Sequence, residues 1–173
     1  MVQRLRRSEH DCVVFDSQPA SVTSLTRYGA KGSQSLNEFI TLLNPPRVVW
    51  LMLPAAAVDS MLQELSAHLQ TGDVVVDGGN SHYVDDIRRA SDLESRGIHY
   101  LDVGVSGGVW GIERGYCLMI GGTSAAVARL EPIFNTLAPG SDAASRTPGR
   151  DTPNTTAEQG YLHCGPAGAG HFV

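Results

Sequence analysis

The stretch Asp73–Ser81, DVVVDGGNS, limits the possible folds more than any other part of the chain. Three consecutive valines, Val74, Val75 and Val76, need apolar partners on both faces. That describes a strand inside a parallel sheet covered by helices. The strand ends on a carboxylate, Asp77. Gly78 and Gly79 then let the backbone turn tightly, or let a ligand approach it. Asn80 and Ser81 follow at the strand's C-terminal edge, where open α/β sheets bind their ligands. The alternative reading is a plain strand-to-helix turn with Ser81 as the helix cap.

The segments around this strand alternate. Met1–Arg7 reads as a helix with Val2 and Leu5 on one face and Arg4, Arg6 and Arg7 on a solvated face. Asp11–Asp16 is a short buried strand. Pro19–Tyr28 is a helix opened by Pro19 and stopped by Gly29. Ser35 caps a short helix to Leu43, and Asn44–Pro46 is a turn. Arg47–Leu53, RVVWLML, is another buried strand. In Ala55–Leu69, Val58, Met61, Leu62, Leu65 and Leu69 form one apolar helical stripe. Asp85–Arg96 is a helix stopped by Gly97, and His99–Val105 a strand. After the glycine-rich Ser106–Gly111 come a strand at Tyr116–Ile120, a turn at Gly121–Gly122 and a helix to about Leu137. This alternation, with short connections, predicts an α/β fold over residues 1–138: a Rossmann-like, doubly wound, mostly parallel sheet. Residues 139–160 are polar without apolar periodicity and predict an exposed loop. In residues 161–173, Tyr161–Cys164 reads as a last strand and Gly165–Gly170 as the lead-in to a helix.

Several function classes are excluded by composition. With 173 residues the chain can bury a real core, and a net charge of −5 leaves no basic footprint for nucleic acid. No apolar run approaches a membrane span, and charges crowd the first ten residues where a secretion signal would need an apolar core. The three cysteines, Cys12, Cys117 and Cys164, are odd in number and lack metal-ligand spacing, which suits a reducing cytoplasm. His163 and His171 have no visible metal partner in the sequence, so no metal site is expected.

Three further strand ends offer chemistry. Asp16 ends the second expected strand of a nucleotide-binding half. A carboxylate there accepts bonds from adenosine ribose hydroxyls and repels a 2′-phosphate, which favours NAD over NADP. The glycine fingerprint G-x-G-x-x-G belongs about 20 residues earlier, a place at or before Met1. Leu53–Pro54–Ala55 presents a rigid, uncrowded backbone that could pass along a cofactor, or is an ordinary helix start. Ser106–Gly107–Gly108 supplies a hydroxyl and open N–H groups suited to an anionic or hydroxylated substrate, or is a plain glycine turn.

Taken in order, VVWLMLPA at Val48–Ala55, DGGNS at Asp77–Ser81, GVSGG at Gly104–Gly108, LMIGG at Leu118–Gly122 and GYLHCGPAGAGHFV at Gly160–Val173 form a recognisable set. Together they resemble the cofactor domain of decarboxylating 6-phosphogluconate dehydrogenase. VWGIERG at Val109–Gly115 and AEQGYLHCGP narrow the likeness to the shorter, bacterial, NAD-preferring type. The resemblance implies oxidation of 6-phosphogluconate at C3 by NAD, loss of carbon dioxide and formation of ribulose 5-phosphate, in a cytoplasmic homo-oligomer. It implies that Asp16, Leu53, Pro54, Ala55 and Asn80 meet the cofactor. It further implies that Asn80, Ser106, Gly107 and Gly108 meet the substrate. The family's general-base lysine and its acidic partner would follow Val173, and its all-helical domain would lie beyond. The resemblance thus implies a chain truncated at both ends and silent by itself. Another β-hydroxyacid dehydrogenase, of the 3-hydroxyisobutyrate type, and a non-catalytic α/β binding module are the alternatives.

Overall fold

The computed structural model describes residues 1–145, 149 and 155–173. Helices α1 (Val2–Arg7), α2 (Pro19–Thr26), α3 (Leu36–Thr41), α4 (Ala55–Ser66), α5 (Tyr83–Glu94), α6 (Gly111–Arg114), α7 (Ser124–Leu137), α8 (Thr156–Gln159) and α9 (Ala169–Phe172) alternate with strands. The strands are β1 (Val13–Val14), β2 (Lys31–Gly32), β3 (Val48–Leu51), β4 (Val74–Asp77), β5 (His99–Ser106), β6 (Cys117–Gly121) and β7 (Tyr161–Gly165).

All four residues of β4 are buried, as its valine run requires. Val74 and Val76 pack with Leu101, Leu118, Ile120 and the Leu130–Phe134–Leu137 face of α7. Val75 points the other way, into a second core with Val58, Leu62 and Leu65 of α4 and Leu93 of α5. Two cores on opposite faces are what a doubly wound sheet produces. The sheet holds five strands in the order β3-β4-β5-β6-β7. β3, β4 and β5 run parallel, with Leu51 opposite Asp77 and Asp77 opposite Asp102. β6 returns antiparallel to β5, and β7 is parallel to β6. The reversal at β6 follows from its connection: residues 107–116 contain only a 3-10 turn and the single turn of α6, too little for a crossover back to a parallel start.

Several expectations need refinement. The first strand is shorter than Asp11–Asp16, and β1 pairs only with β2, in a two-stranded parallel sheet separate from the larger one among the described residues. β2 is Lys-Gly, two residues with no apolar signal. Arg4 is not on a solvated face; its guanidinium donates to the carbonyls of Thr136 and Ala138, at the end of α7, and of Ile112 and Glu113. Ser81 does not cap α5, whose N-cap is His82. Within the expected loop, residues 141–143 form a 3-10 turn and residues 156–159 form α8. Residues 146–148 and 150–154 of that loop lie outside the described residues. Among the described residues no helix is long and apolar enough to cross a membrane.

Candidate functional site

The C-terminal ends of β3, β4 and β5 come together around one cleft. Leu53, Pro54 and Ala55 follow β3, Gly78, Gly79 and Asn80 follow β4, and Gly108 follows β5; all seven line a cleft of about 710 Å³. That volume lies in the range of small-molecule sites. The turn after β4 is pinned against the segment after β3. Gly78 N–H donates to Leu51 O at 2.9 Å. A Cβ on Gly79 would stand 2.6 Å from Leu53 O, so only glycine allows the two turns to approach this closely. Asn80 is exposed at the rim of the turn. The other walls are mostly apolar, with Leu25, Met52, Val105, Ile112 and the Tyr116 ring among them. A mostly apolar slot with two amides, Gln3 and Asn80, and open glycine backbone in its lining fits the flat nicotinamide end of a dinucleotide.

The remaining candidates lie elsewhere. Asp16 follows β1, is exposed, and uses Oδ1 to accept the Gln18 N–H at 2.7 Å. It is not part of the cleft wall. Ser106 ends β5 and Gly107 precedes the 3-10 turn that opens at Gly108, but neither lines the cleft itself. His163 is structural: its Nε2 lies 2.8 Å from Gly122 O and 2.9 Å from Gly165 O, across the irregular end of the β6–β7 ladder.

Beneath the cleft lies a buried polar network that the sequence reading missed. Asp77, Asp86 and Asp102 are all 0% exposed. Asp77 holds the glycine turn, accepting the Gly79 N–H at 3.0 Å on Oδ1 and the Ser81 hydroxyl at 2.6 Å on Oδ2. Arg89 donates to Ser81 Oγ at 3.0 Å and to Asp59 at 2.7 Å. The Tyr100 hydroxyl lies 2.8 Å from Asp86 Oδ1 and 3.1 Å from Asp77 Oδ2. Asp102 accepts the N–H groups of Gly168 at 2.7 Å and His171 at 2.9 Å, so it caps the turn of α9. The His171 ring closes the set with Nδ1 at 2.8 Å from Asp86 Oδ2.

Burial and charge set the acidities. Burial pushes the Tyr100 hydroxyl up, and the carboxylates of Asp77 and Asp86 push it further. Burial raises Asp102 too, against the backbone N–H bonds from His171 and Gly168. For His171, burial favours the neutral ring, but the bond to Asp86 and the surrounding carboxylates outweigh it and raise the pKa. Asp86, Asp102 and His171 bring one ligand atom each within 4.8 Å of one another, yet every one of those carboxylate oxygens already accepts a protein hydrogen bond. The cluster is a cap and a clamp. Its signal in the sequence was Asp102, a carboxylate inside the otherwise apolar strand HYLDVGV.

Residues 1–146 match the family described as the NAD binding domain of 6-phosphogluconate dehydrogenase. The NAD(+)-dependent decarboxylating 6-phosphogluconate dehydrogenase of Haloferax volcanii is 37% identical over 174 aligned residues, spanning 100% of this chain and 52% of that protein. The chain thus spans about half the length of the first curated relatives it matches. The fold is shared with Plasmodium falciparum 6-phosphogluconate dehydrogenase, at a TM-score of 0.80, 22% identity, and coverage of 99% of this chain and 35% of that one. Mycobacterium tuberculosis 3-hydroxyisobutyrate dehydrogenase is equally similar in fold, at a TM-score of 0.80, 24% identity, and coverage of 99% and 52%. Sequence match, fold and the cleft at the strand ends agree: the chain belongs to the 6-phosphogluconate dehydrogenase family, as its NAD-binding domain.

Proposed function

We propose that this chain is the cofactor-holding half of an NAD-dependent, decarboxylating 6-phosphogluconate dehydrogenase. The observation that carries this reading is the convergence of Leu53–Ala55, Gly78–Asn80 and Gly108 on one apolar cleft. When bound, NAD supplies the acceptor for the hydride that leaves C3 of the sugar acid. The residues of this chain bind and orient. Leu53, Pro54 and Ala55 give the nicotinamide ring a dry face to lie on. The Asn80 amide, at the rim, donates and accepts at once and so reaches both cofactor and substrate hydroxyls. Ser106, Gly107 and Gly108 offer a hydroxyl and N–H groups to the substrate's carboxylate end. Asp16, outside the cleft wall, serves the adenosine ribose and disfavours a 2′-phosphate. Holding the reacting carbon against the ring is what hydride transfer asks of a protein.

Proton transfer is a different matter. Among the described residues that line the cleft there is no Lys, His, Asp or Glu; the ionisable groups are the Tyr116 phenol and the Met1 α-amino group, 3.2 Å from the Tyr116 hydroxyl. On this reading the chain by itself binds cofactor and does not turn over, because the lysine and acid that the family resemblance implies are not among the groups of the cleft. The resemblance implies a cytoplasmic, homo-oligomeric enzyme in which the lysine follows directly on the GAGHFV stretch and its acidic partner comes later in the chain.

The test is NADH fluorescence titration of the purified chain, with NADPH alongside. Binding of NADH in the micromolar to millimolar range, weakened about tenfold or more in Asn80→Ala, supports the reading. Equal binding by wild type and N80A sinks the role of Asn80. Incubation with NAD and 6-phosphogluconate, and separately with 3-hydroxyisobutyrate, should yield no NADH. Turnover of either would overturn the silence predicted here and identify the substrate.

A further inference from the structure

Tyr100 stands between two carboxylates with one proton to give. Its hydroxyl reaches Asp86 Oδ1 at 2.8 Å and Asp77 Oδ2 at 3.1 Å, and it can donate to only one of them at a time. Arg89 does not decide between them, because its Nη1 lies 3.4 Å from Asp77 Oδ2 and 3.5 Å from Asp86 Oδ1. The asymmetry comes from His171, whose ring hydrogen-bonds Asp86, at 2.8 Å, and makes no such bond to Asp77. An imidazolium there neutralises Asp86 and lowers its demand for the Tyr100 proton. That proton is then free for Asp77, the residue that holds Gly79 and Ser81. In a buried network such bonds polarise one another, so the effect is passed on.

We propose that His171 is a positioning residue for Asn80: its charge, passed through Asp86 and the single proton of Tyr100, sets how firmly Asp77 holds the Gly78–Ser81 turn. The proposal rests on the reading of Asn80 as a ligand contact.

The groups facing His171 are few. From α5 come Asp86 and Arg89, the latter also tied to Asp59 of α4. β5 contributes Tyr100 and Asp102, and β4 contributes Asp77. β6 has only Cys117, at its far end opposite Ser106. In β7, His163 is engaged by two carbonyls and the Cys164 thiol by Leu162 O. Tyr83 of α5 packs its ring on Phe172. His171 Nε2 is buried without a hydrogen-bond partner among the described residues. An imidazolium must leave that N–H unpaired, which opposes the pull of Asp86 and keeps the ring titratable.

The experiment is NMR on the isotopically labelled chain without ligand, over about pH 5 to 9, where a histidine changes charge. The His171 ring, the Gly79 and Ser81 amides and the Asn80 side-chain amide are followed together. The proposal expects Gly79 and Asn80 to titrate with the midpoint of His171. In Tyr100→Phe the ring should still titrate while the Gly79 and Asn80 response is lost. In His171→Asn, which keeps a neutral donor towards Asp86, that midpoint should vanish from Gly79 and Asn80. Silence of Gly79 and Asn80 through the wild-type titration overturns the proposal, as does a full response in Y100F or a persisting midpoint in H171N. Adding NADH separates the two readings: failure of Asn80 to respond to NADH rejects the binding role and leaves the relay standing, whereas NADH binding with a silent pH titration rejects the relay alone.

Discussion

At the scale of single residues, the site depends on what is missing as much as on what is present. Gly79 is the clearest case, since any side chain there would collide with Leu53 O. Gly79→Ala should push the two turns apart, weaken NADH binding by tenfold or more and cost about 1–3 kcal/mol of stability, read from urea unfolding. Unchanged binding in G79A would show that the turns have slack and that the close approach is incidental. His171 makes a second prediction. Its folded-state pKa is raised above the ordinary value of about 6.5, so the imidazolium–Asp86 contact stabilises the fold fully below that pH. The contribution fades as pH rises through the folded-state pKa. Melting temperature should therefore fall across that window in the wild type and lose that component in His171→Asn; equal profiles would show that the contact has no net stabilising effect. The two residues also differ in how legible they were. The glycines announce a turn by their type alone. The role of His171 needed Asp86 and Asp102, distant in sequence and brought to it by α5 and β5.

At the scale of elements, apolar periodicity placed the larger strands and helices, because Val74–Val76 and the stripe of α4 admit few other environments. It could not give the direction of β6, which is set by the connection before it and not by its own residues. It also misread α1. On a helical wheel Arg4 belongs to a charged face, yet it spends its guanidinium on four carbonyls, two of them at the open end of α7. The last carbonyls of a helix lack intrahelical donors, and a planar fork of N–H groups answers several at once. Arg4→Ala should destabilise the chain by about 1–3 kcal/mol, and Arg4→Lys should recover only part of that, because an ammonium cannot span the same set. Amide exchange should quicken in α1 and in the last turn of α7 together. Faster exchange in α1 alone would show that α7 is closed by its own contacts.

At the scale of the whole molecule, the sheet is in two pieces, and this has consequences for motion. The five-stranded sheet has a core on each face. The β1–β2 pair has two residues per strand, held by the Lys31 N–H to Cys12 O at 2.8 Å and the Ser33 N–H to Val14 O at 3.0 Å. Its links to the rest include Phe15 against the Phe39 ring, the His10 ring to Thr136 Oγ1 at 2.9 Å, and the Arg6 guanidinium on His10 O at 2.7 Å. Two strands alone are marginal in water, so this unit depends on those contacts. It also carries Asp16, the residue proposed to choose between NAD and NADP. Native-state hydrogen exchange should show two levels of protection, with Lys31 and Ser33 exchanging at least about a hundredfold faster than amides inside β4. NADH, if it spans from the cleft to Asp16, should slow Lys31 and Ser33 exchange more than that of β4, because it would bridge the two pieces. Equal protection without ligand would mean that the pieces open as one. Unequal protection that NADH leaves untouched would confine the nucleotide to the cleft and remove Asp16 from the site.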